Sequence, residues 1–268
     1  MKKRVVVALL SLMLAELAFA NTCSETAEKQ RTPGHLYLKL NTGASFARKA
    51  KISAPPASWD PSPQGYNGRL KTRPIIGAGI GCDFNSLFSA DITASFRPDY
   101  RYRKFQTSTS ISTPAFVGTK IRKFDLDATS LMGSLYLSGR GMSFLSWDIT
   151  SSSELYPFFG GGIGASRLKI YNFRSTNLTS LIPPFPAFAS ENQYTIRYCF
   201  TYQLQTGLEY RYHEKWALST GYRWFDSMRF KGPRYFRDSI GQSFDVGKDE
   251  WRIKFRAHEL FLELKIFL

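Results

Sequence analysis

Histidine and cysteine are scarce, three of each in 268 residues. Neither recurs at ligand spacing, so a metal centre has no support, and no cofactor motif replaces it. Three cysteines (Cys23, Cys82 and Cys199) are too few for a disulfide framework and allow at most one pair. Acidic residues are also short: 21 Asp and Glu stand against 36 Lys and Arg, a formal net charge of +15. After residue 20 no apolar run reaches the roughly 20 residues that a membrane-crossing helix needs. With a slightly negative mean hydropathy, two classes remain: a soluble β-protein, or a membrane β-barrel whose alternation hides its hydrophobicity from any running average.

What is present begins with targeting. Met1-Lys2-Lys3-Arg4, an apolar stretch from Val5 to Leu14, and the small-x-small site Ala18-Phe19-Ala20 form a secretory signal peptide over residues 1–20. Cleavage is expected after Ala20, leaving a short N-terminal segment over 21–34 and a barrel domain over 35–268. Cys23 lacks the small apolar residues before it that lipid attachment requires. Removing Lys2, Lys3, Arg4 and Glu16 takes three positive charges and one negative from +15, leaving about +13. Such an excess favours anionic partners: lipopolysaccharide phosphates or polysaccharide sulfates. Secretion argues against nucleic acid, and no pattern assigns an oligomeric state.

Aromatic content is 15%, which fits girdles at two membrane interfaces. The last eleven residues organise the rest. Leu260, Leu262, Leu264, Ile266 and Leu268 form one apolar row, with Glu259, Glu263 and Lys265 on the other, a strand of the length a tilted bilayer crossing needs. The same period of two recurs over His35–Phe46, Ile75–Phe84, Leu87–Arg97, Leu155–Tyr171, Phe200–Arg211 and Trp216–Trp224. Phe124–Leu137 changes parity, and a bulge near Ser130 would reconcile its two halves.

These eight strands are joined by a regular alternation. Asn85-Ser86 and His213-Glu214-Lys215 are tight turns. Residues 47–70, 98–123, 172–194 and 226–251 read as long loops. The expected fold is therefore all-β, an eight-stranded antiparallel up-and-down transmembrane β-barrel with long outer loops and short inner turns. The connection from Ser138 to Glu154 is long for an inner turn.

Opposite the apolar rows lie Gly, Ser, Thr, Gln and nine charges: Lys39, Asp83, Asp91, Glu209, Arg211, Arg223, Glu259, Glu263 and Lys265. Eight strands enclose a lumen that side chains fill. Mixed signs there predict a salt-bridged interior, because desolvation demands pairing; a narrow water or ion path is the alternative. Gly77-Ala78-Gly79-Ile80-Gly81 and Gly160-Gly161-Gly162-Ile163-Gly164 lie within strands and lead into no helix, so they read as room for large lumenal neighbours, not as phosphate cradles.

Tyr156 to Ala165, Phe200 to Arg211, and Leu218 to Trp224 resemble the fifth, sixth and seventh strands of opacity-protein-type, OmpA/OmpX-like outer-membrane barrels. Gly77–Phe84 and Asp91–Arg97 are similar to their second and third. The resemblance implies an integral protein of the Gram-negative cell outer membrane whose variable outer loops serve adhesion or immune exposure as a surface antigen. It departs from the family in that Phe267 is penultimate and Leu268 last, which would weaken recognition by the insertion machinery.

The resemblance transfers no binding residues. From the residues themselves, the basic set Arg48, Lys49, Lys51, Arg69, Lys71, Arg101, Arg103, Lys104, Lys120, Arg122, Lys123, Arg229, Lys231, Arg234 and Arg237 points to contact with lipopolysaccharide, a host polyanion or a surface receptor. A small pore is the alternative function. A lipid-modifying enzyme or protease would need a His beside a nucleophile or carboxylate. Only His35, His213 and His258 exist, and His258 and Glu259 face opposite ways on one strand, so no enzyme activity is expected.

Overall fold

Alternating side chains give each strand an apolar and a polar face, and closing the strands into a ring decides which face meets the surroundings. The computed structural model describes residues 35–47, 51–53, 70–109, 117–142, 144–177, 188–237, 241–245 and 252–268. The signal peptide, the 21–34 segment and Cys23 lie outside the described residues. Eight long strands form the ring: β1 (His35–Ala47), β2 (Thr72–Asp83), β3 (Phe88–Thr109), β4 (Val117–Ser138), β5 (Ser153–Asn177), β6 (Tyr194–Tyr212), β7 (Trp216–Lys231) and β8 (Arg252–Phe267). Each pairs antiparallel with its chain neighbours. β1 closes on β8 from Tyr37 opposite Phe267 to Ala47 opposite Ala257. A closed antiparallel barrel has no exposed edge through its wall. No helix among the described residues is long and apolar enough to cross a membrane.

The inner rim holds the short turns. Asn85 Oδ1 accepts from the amides of Leu87 and Phe88, both at 2.8 Å, an Asx turn that holds β2 to β3. The long fourth connection is folded against this rim. Gly139–Gly141 makes one 3₁₀ turn capped by Ser138, and Trp147–Thr150 pairs back on the start of β5.

At the outer rim the strands run further than the sequence pattern suggests. Most of 98–123 is strand, a hairpin of β3 and β4 reaching Thr109 and Val117. β5 continues to Asn177, and the expected loops over 172–194 and 226–251 contain the short strands Phe188–Ser190, Tyr235–Arg237 and Ser243–Asp245. These extend the sheet sideways from β5. Bulges accommodate the change. β3 slips between Arg97 and Tyr100 with Asp99 at φ 52°, and β4 slips against β5 beyond Lys123 beside Asn172 at φ 53°. Asn and Asp tolerate this left-handed backbone better than other side chains with a Cβ.

The bulge expected at Ser130 is absent: β4 keeps unbroken register from Asp125 to Ser138. Phe124, Leu126 and Ala128 are buried and share an inward row with Ser130, Met132, Ser134 and Tyr136. The parity change is instead a reversal of polarity. In the lower wall apolar side chains point outward, with Ile80, Leu135 and Ile163 more than 60% exposed. In the upper wall they point inward: Tyr100, Leu126, Leu168, Ile170, Phe225 and Phe255 belong to one buried cluster. Phe124 stacks between Tyr102 at 4.5 Å and Phe173 at 6.1 Å, and Phe173 meets Phe236 at 5.3 Å.

Glycine serves close approach at two places. A Cβ on Gly81 would lie 2.3 Å from the Tyr37 ring, and one on Gly160 would lie 2.4 Å from the Tyr136 ring. Cys82 is disulfide-bonded and Cys199 is free.

Candidate functional site

The inward row of the lower wall gathers all nine charges singled out in the sequence, and adds Arg97. The cations Lys39, Arg97, Arg211, Arg223 and Lys265 face the anions Asp83, Asp91, Glu209, Glu259 and Glu263, five of each sign. They form a ladder. Nearest the inner rim, Arg211 meets Asp83 at 2.6 Å and stacks on the Phe267 ring at 3.9 Å. Above it, Lys265 donates to Glu209 at 2.6 Å, and Tyr156 and Ser219 donate to the same carboxylate.

In the middle, Lys39 lies between Asp91 at 2.6 Å and Glu263 at 3.1 Å, and Tyr136 donates to Asp91. Arg223 bridges Glu263 at 3.0 Å and Glu259 at 3.4 Å. At the top, Arg97 grips Glu259 through Nε and Nη2 at 2.6 and 3.1 Å with its plane against Phe225 at 3.9 Å. Ser45 also donates to Glu259, and Tyr100 to Ser45. Above that level begins the apolar cluster of the upper wall.

Arg97 shares the parity of Ser89, Asp91, Thr93 and Ser95, the signal by which it belongs with the lumenal set. Tyr37 shares the parity of Lys39 and Asn41 in the same way, whereas Tyr136 and Tyr156 carried no such signal, since an aromatic residue suits either face. Gly81 opposite Tyr37 and Gly160 opposite Tyr136 leave space for a large ring and are a further cue.

At the inner mouth a narrow cleft is lined by Asp83, Tyr156, Glu209, Arg211 and Lys265. Arg140 closes over it, donating to Glu154 at 2.9 Å and to Glu214 at 3.1 Å. Burial pushes the Glu214 carboxyl up, but the Arg140 hydrogen bond and the charges of His35 and Arg140 outweigh it and hold the group below its ordinary value.

Two tiers of cations mark the outer surface. The lower one sits where outward apolar residues end. Arg167 is exposed there, and Lys169 lies between the Tyr171 and Tyr194 rings at 5.5 and 5.1 Å. Tyr198, Tyr222 and Trp224 ring the same level, with Arg256 over Trp224 and paired with Asp226. Sequence reasoning missed this tier, because Arg167, Lys169 and Arg256 stand inside or beside strands and not in loops.

The upper tier contains Arg101, Arg103, Lys123, Arg234 and Arg237, all exposed. Arg101 pairs with Asp99, Arg234 with Asp245 and Arg237 with Glu191. Lys71, Arg229 and Lys231 are exposed as well. Lys51, Lys104, Lys120 and Arg122 lie in strands, while Arg48, Lys49 and Arg69 fall outside the described residues.

The histidines are dispersed. His35 faces Glu214 at 3.6 Å, His213 occupies the β6–β7 turn, and the outward His258 shares a hydrogen bond with the Tyr222 hydroxyl. Glu259 is inward and engaged by arginines. Among the described residues no group of His, Cys, Asp and Glu could hold a metal ion.

No family model and no curated protein matches the chain. Several solved structures resemble it. Neisserial surface protein A is 12% identical with a TM-score of 0.43, over 87% of this chain and 97% of that one. The outer membrane protease OmpT from Escherichia coli is 10% identical with a TM-score of 0.43, over 90% and 100%. Ail, the attachment invasion locus protein of Yersinia pestis, in complex with the heparin analogue sucrose octasulfate, is 13% identical with a TM-score of 0.35, over 87% and 99%. These are similarities of barrel architecture alone.

Proposed function

We propose that the chain is an integral β-barrel of the Gram-negative outer membrane, exported by a signal peptide over residues 1–20. Its basic outer portion contacts lipopolysaccharide or host polyanions in an adhesive, antigenic or structural envelope role. The observation that carries this reading is the polarity reversal along the wall. Below it, leucines, isoleucines and phenylalanines around the ring face outward, a continuous apolar band far larger than the few hundred Å² that a soluble monomer leaves exposed. Above it, most outward residues are polar or charged and the inside is largely apolar, as in a soluble barrel. Aromatic rings mark both edges of the band, Tyr210, Tyr212 and Trp216 at the inner and Tyr198, Tyr222 and Trp224 at the outer.

The lumenal ladder serves as a structural plug in this reading. Its five cations and five anions balance, and each carboxylate is engaged within 3.1 Å. A small pore would require ions to pass both this ladder and the largely apolar cluster above it, which replaces hydration poorly. An enzymatic role would have to use His35 beside Glu214 or His258 beside the Tyr222 hydroxyl, which lie apart, one at the inner rim and one on the outward face.

The test is membrane fractionation combined with gel mobility before and after heating. A folded barrel stays with the outer membrane, needs detergent for extraction and migrates faster unheated than heated. A mature protein freely soluble without detergent would overturn the reading.

A further inference from the structure

One transverse register line in the projecting sheet carries cations on neighbouring strands. Arg103 of β3 lies opposite Lys123 of β4, and Lys123 lies opposite Arg174 of β5. The line continues through Ala189 to Arg237. Residues directly opposite share a face, and Arg103, Lys123, Arg174 and Arg237 are all exposed. Like charges in that relation repel and destabilise the pairing. The nearby acids relieve it only in part: Glu191 pairs with Arg237, Asp99 is engaged by Arg73 and Arg101, and Asp125 accepts from Asn172. Among the described residues Arg103, Lys123 and Arg174 have no ion-pair partner. Five strand positions at about 4.8 Å spacing make the row roughly 19 Å long.

Height separates this row from the membrane. Lys123 lies eight residues beyond Leu131, the last large apolar side chain facing outward on β4 among the described side chains. At about 3.3 Å per residue and a strand tilt near 40°, that places the row roughly 20 Å above the hydrocarbon edge. Arg167 lies only four residues beyond Ile163, about 10 Å up by the same arithmetic. The lower tier is thus at headgroup depth, and the upper row is out of reach of phosphates at the lipid surface.

We propose that the Arg103–Lys123–Arg174 row binds a linear sulfated polysaccharide presented from outside the membrane. This rests on the reading of the chain as an outer-membrane barrel that contacts polyanions, and it names the site and the partner. Sulfate esters stay ionised at every physiological pH and match guanidinium donors. A straight row suits a chain that repeats its charge along its length.

The test uses the full mature barrel refolded in detergent, with heat-modifiable mobility verifying the fold of each variant. Heparin is the probe for the sulfated chain and lipopolysaccharide micelles for the lipid. The triple variant Arg103→Gln/Lys123→Gln/Arg174→Gln is expected to weaken heparin binding about tenfold or more at physiological ionic strength and to lower the slope of log affinity against log salt by about three, one per cation removed. The control Arg167→Gln/Lys169→Gln should keep heparin affinity and weaken lipopolysaccharide binding. The inference is overturned if the wild type lets go of heparin below physiological salt, if both variants lose heparin equally, or if the triple variant loses lipopolysaccharide instead. Each of these leaves the outer-membrane reading intact, whereas a wild type lacking heat-modifiable mobility overturns that reading itself.

Discussion

Replacing Glu259 by Gln removes one negative charge from the top of the lumenal ladder and leaves the side-chain shape unchanged. Glu259 is fully buried and accepts from Arg97 at 2.6 and 3.1 Å, from Arg223 at 3.4 Å and from Ser45 at 2.9 Å. Arg223 retains Glu263, but among the described residues Arg97 has no second carboxylate. At an effective dielectric near 20 and a charge separation of about 4 Å, the lost attraction is about 4 kcal/mol. Removing one partner of a buried pair costs about 3–5 kcal/mol. Glu259→Gln should therefore destabilise the barrel by about that amount, and so should Arg97→Met. The double variant Arg97→Met/Glu259→Gln restores charge balance and should be more stable than either single one, a coupling that a double-mutant cycle isolates. The assay is urea unfolding in detergent micelles at neutral pH, followed by loss of heat-modifiable mobility. Single variants costing under about 1 kcal/mol with additive effects would refute the reasoning, because charges that do not need each other are solvated, and a solvated lumen is no plug.

Arg placed at Leu262, in the outward band, should cost about 2–4 kcal/mol of unfolding free energy in a bilayer, while Thr129→Arg, outward above the band, should cost under about 1; equal costs would place the band outside lipid. Gly160→Val drives side-chain atoms into the Tyr136 ring and toward the Leu135 carbonyl, so the yield of folded barrel should fall, and Tyr136→Ala in the same chain should recover part of it. The Arg140–Glu214 tie is sensitive to acid. Folding lowers the Glu214 pKa, so the tie contributes stability present above the ordinary glutamate pKa of about 4.3 and lost as pH falls through the lowered folded value. Arg140→Gln should speed amide exchange in the His213–Lys215 turn at pH 7, and the difference from the wild type should shrink as pH falls through the lowered folded value.

The lower wall was legible in the sequence because lipid and lumen impose opposite demands on alternate residues. Leu36, Leu38 and Leu40 against Tyr37, Lys39 and Asn41 can be arranged in only one way once the ring closes, and the inward placement of the nine charges follows from that. The upper wall was obscured by the same rule. Tyr100 and Tyr102 against Arg101 and Arg103 still alternate, but with the apolar set inside, so a reader expecting one polarity sees a loop or a slipped phase. The apparent bulge at Ser130 is that reversal, seen where Leu131 gives way to Ala128 and Leu126. Pairings such as Arg97 with Glu259 join residues 162 positions apart, and period two carries no information about which strands meet.

The reversal also bears on what the outer portion is for. A barrel that only had to span a membrane could end its strands near Arg97, Ser130 and Ser166, because the ladder that holds its lumen together lies entirely at or below that level. Here β3, β4 and β5 continue for about ten residues more and build a second core from Tyr102, Phe124, Phe173 and Phe236. The buried aromatic stack contributes, with the strand hydrogen bonds, to offsetting the conformational entropy lost in ordering that backbone. The product is a rigid sheet, and rigidity matters for a charged surface. Cations on a flexible loop would lose conformational entropy on meeting a ligand, whereas a row fixed by strand register has already given it up on folding. The like-charge repulsion along Arg103, Lys123 and Arg174 falls further when an anion arrives, so the projection is preorganised for a partner that neither the lumen nor the lipid supplies.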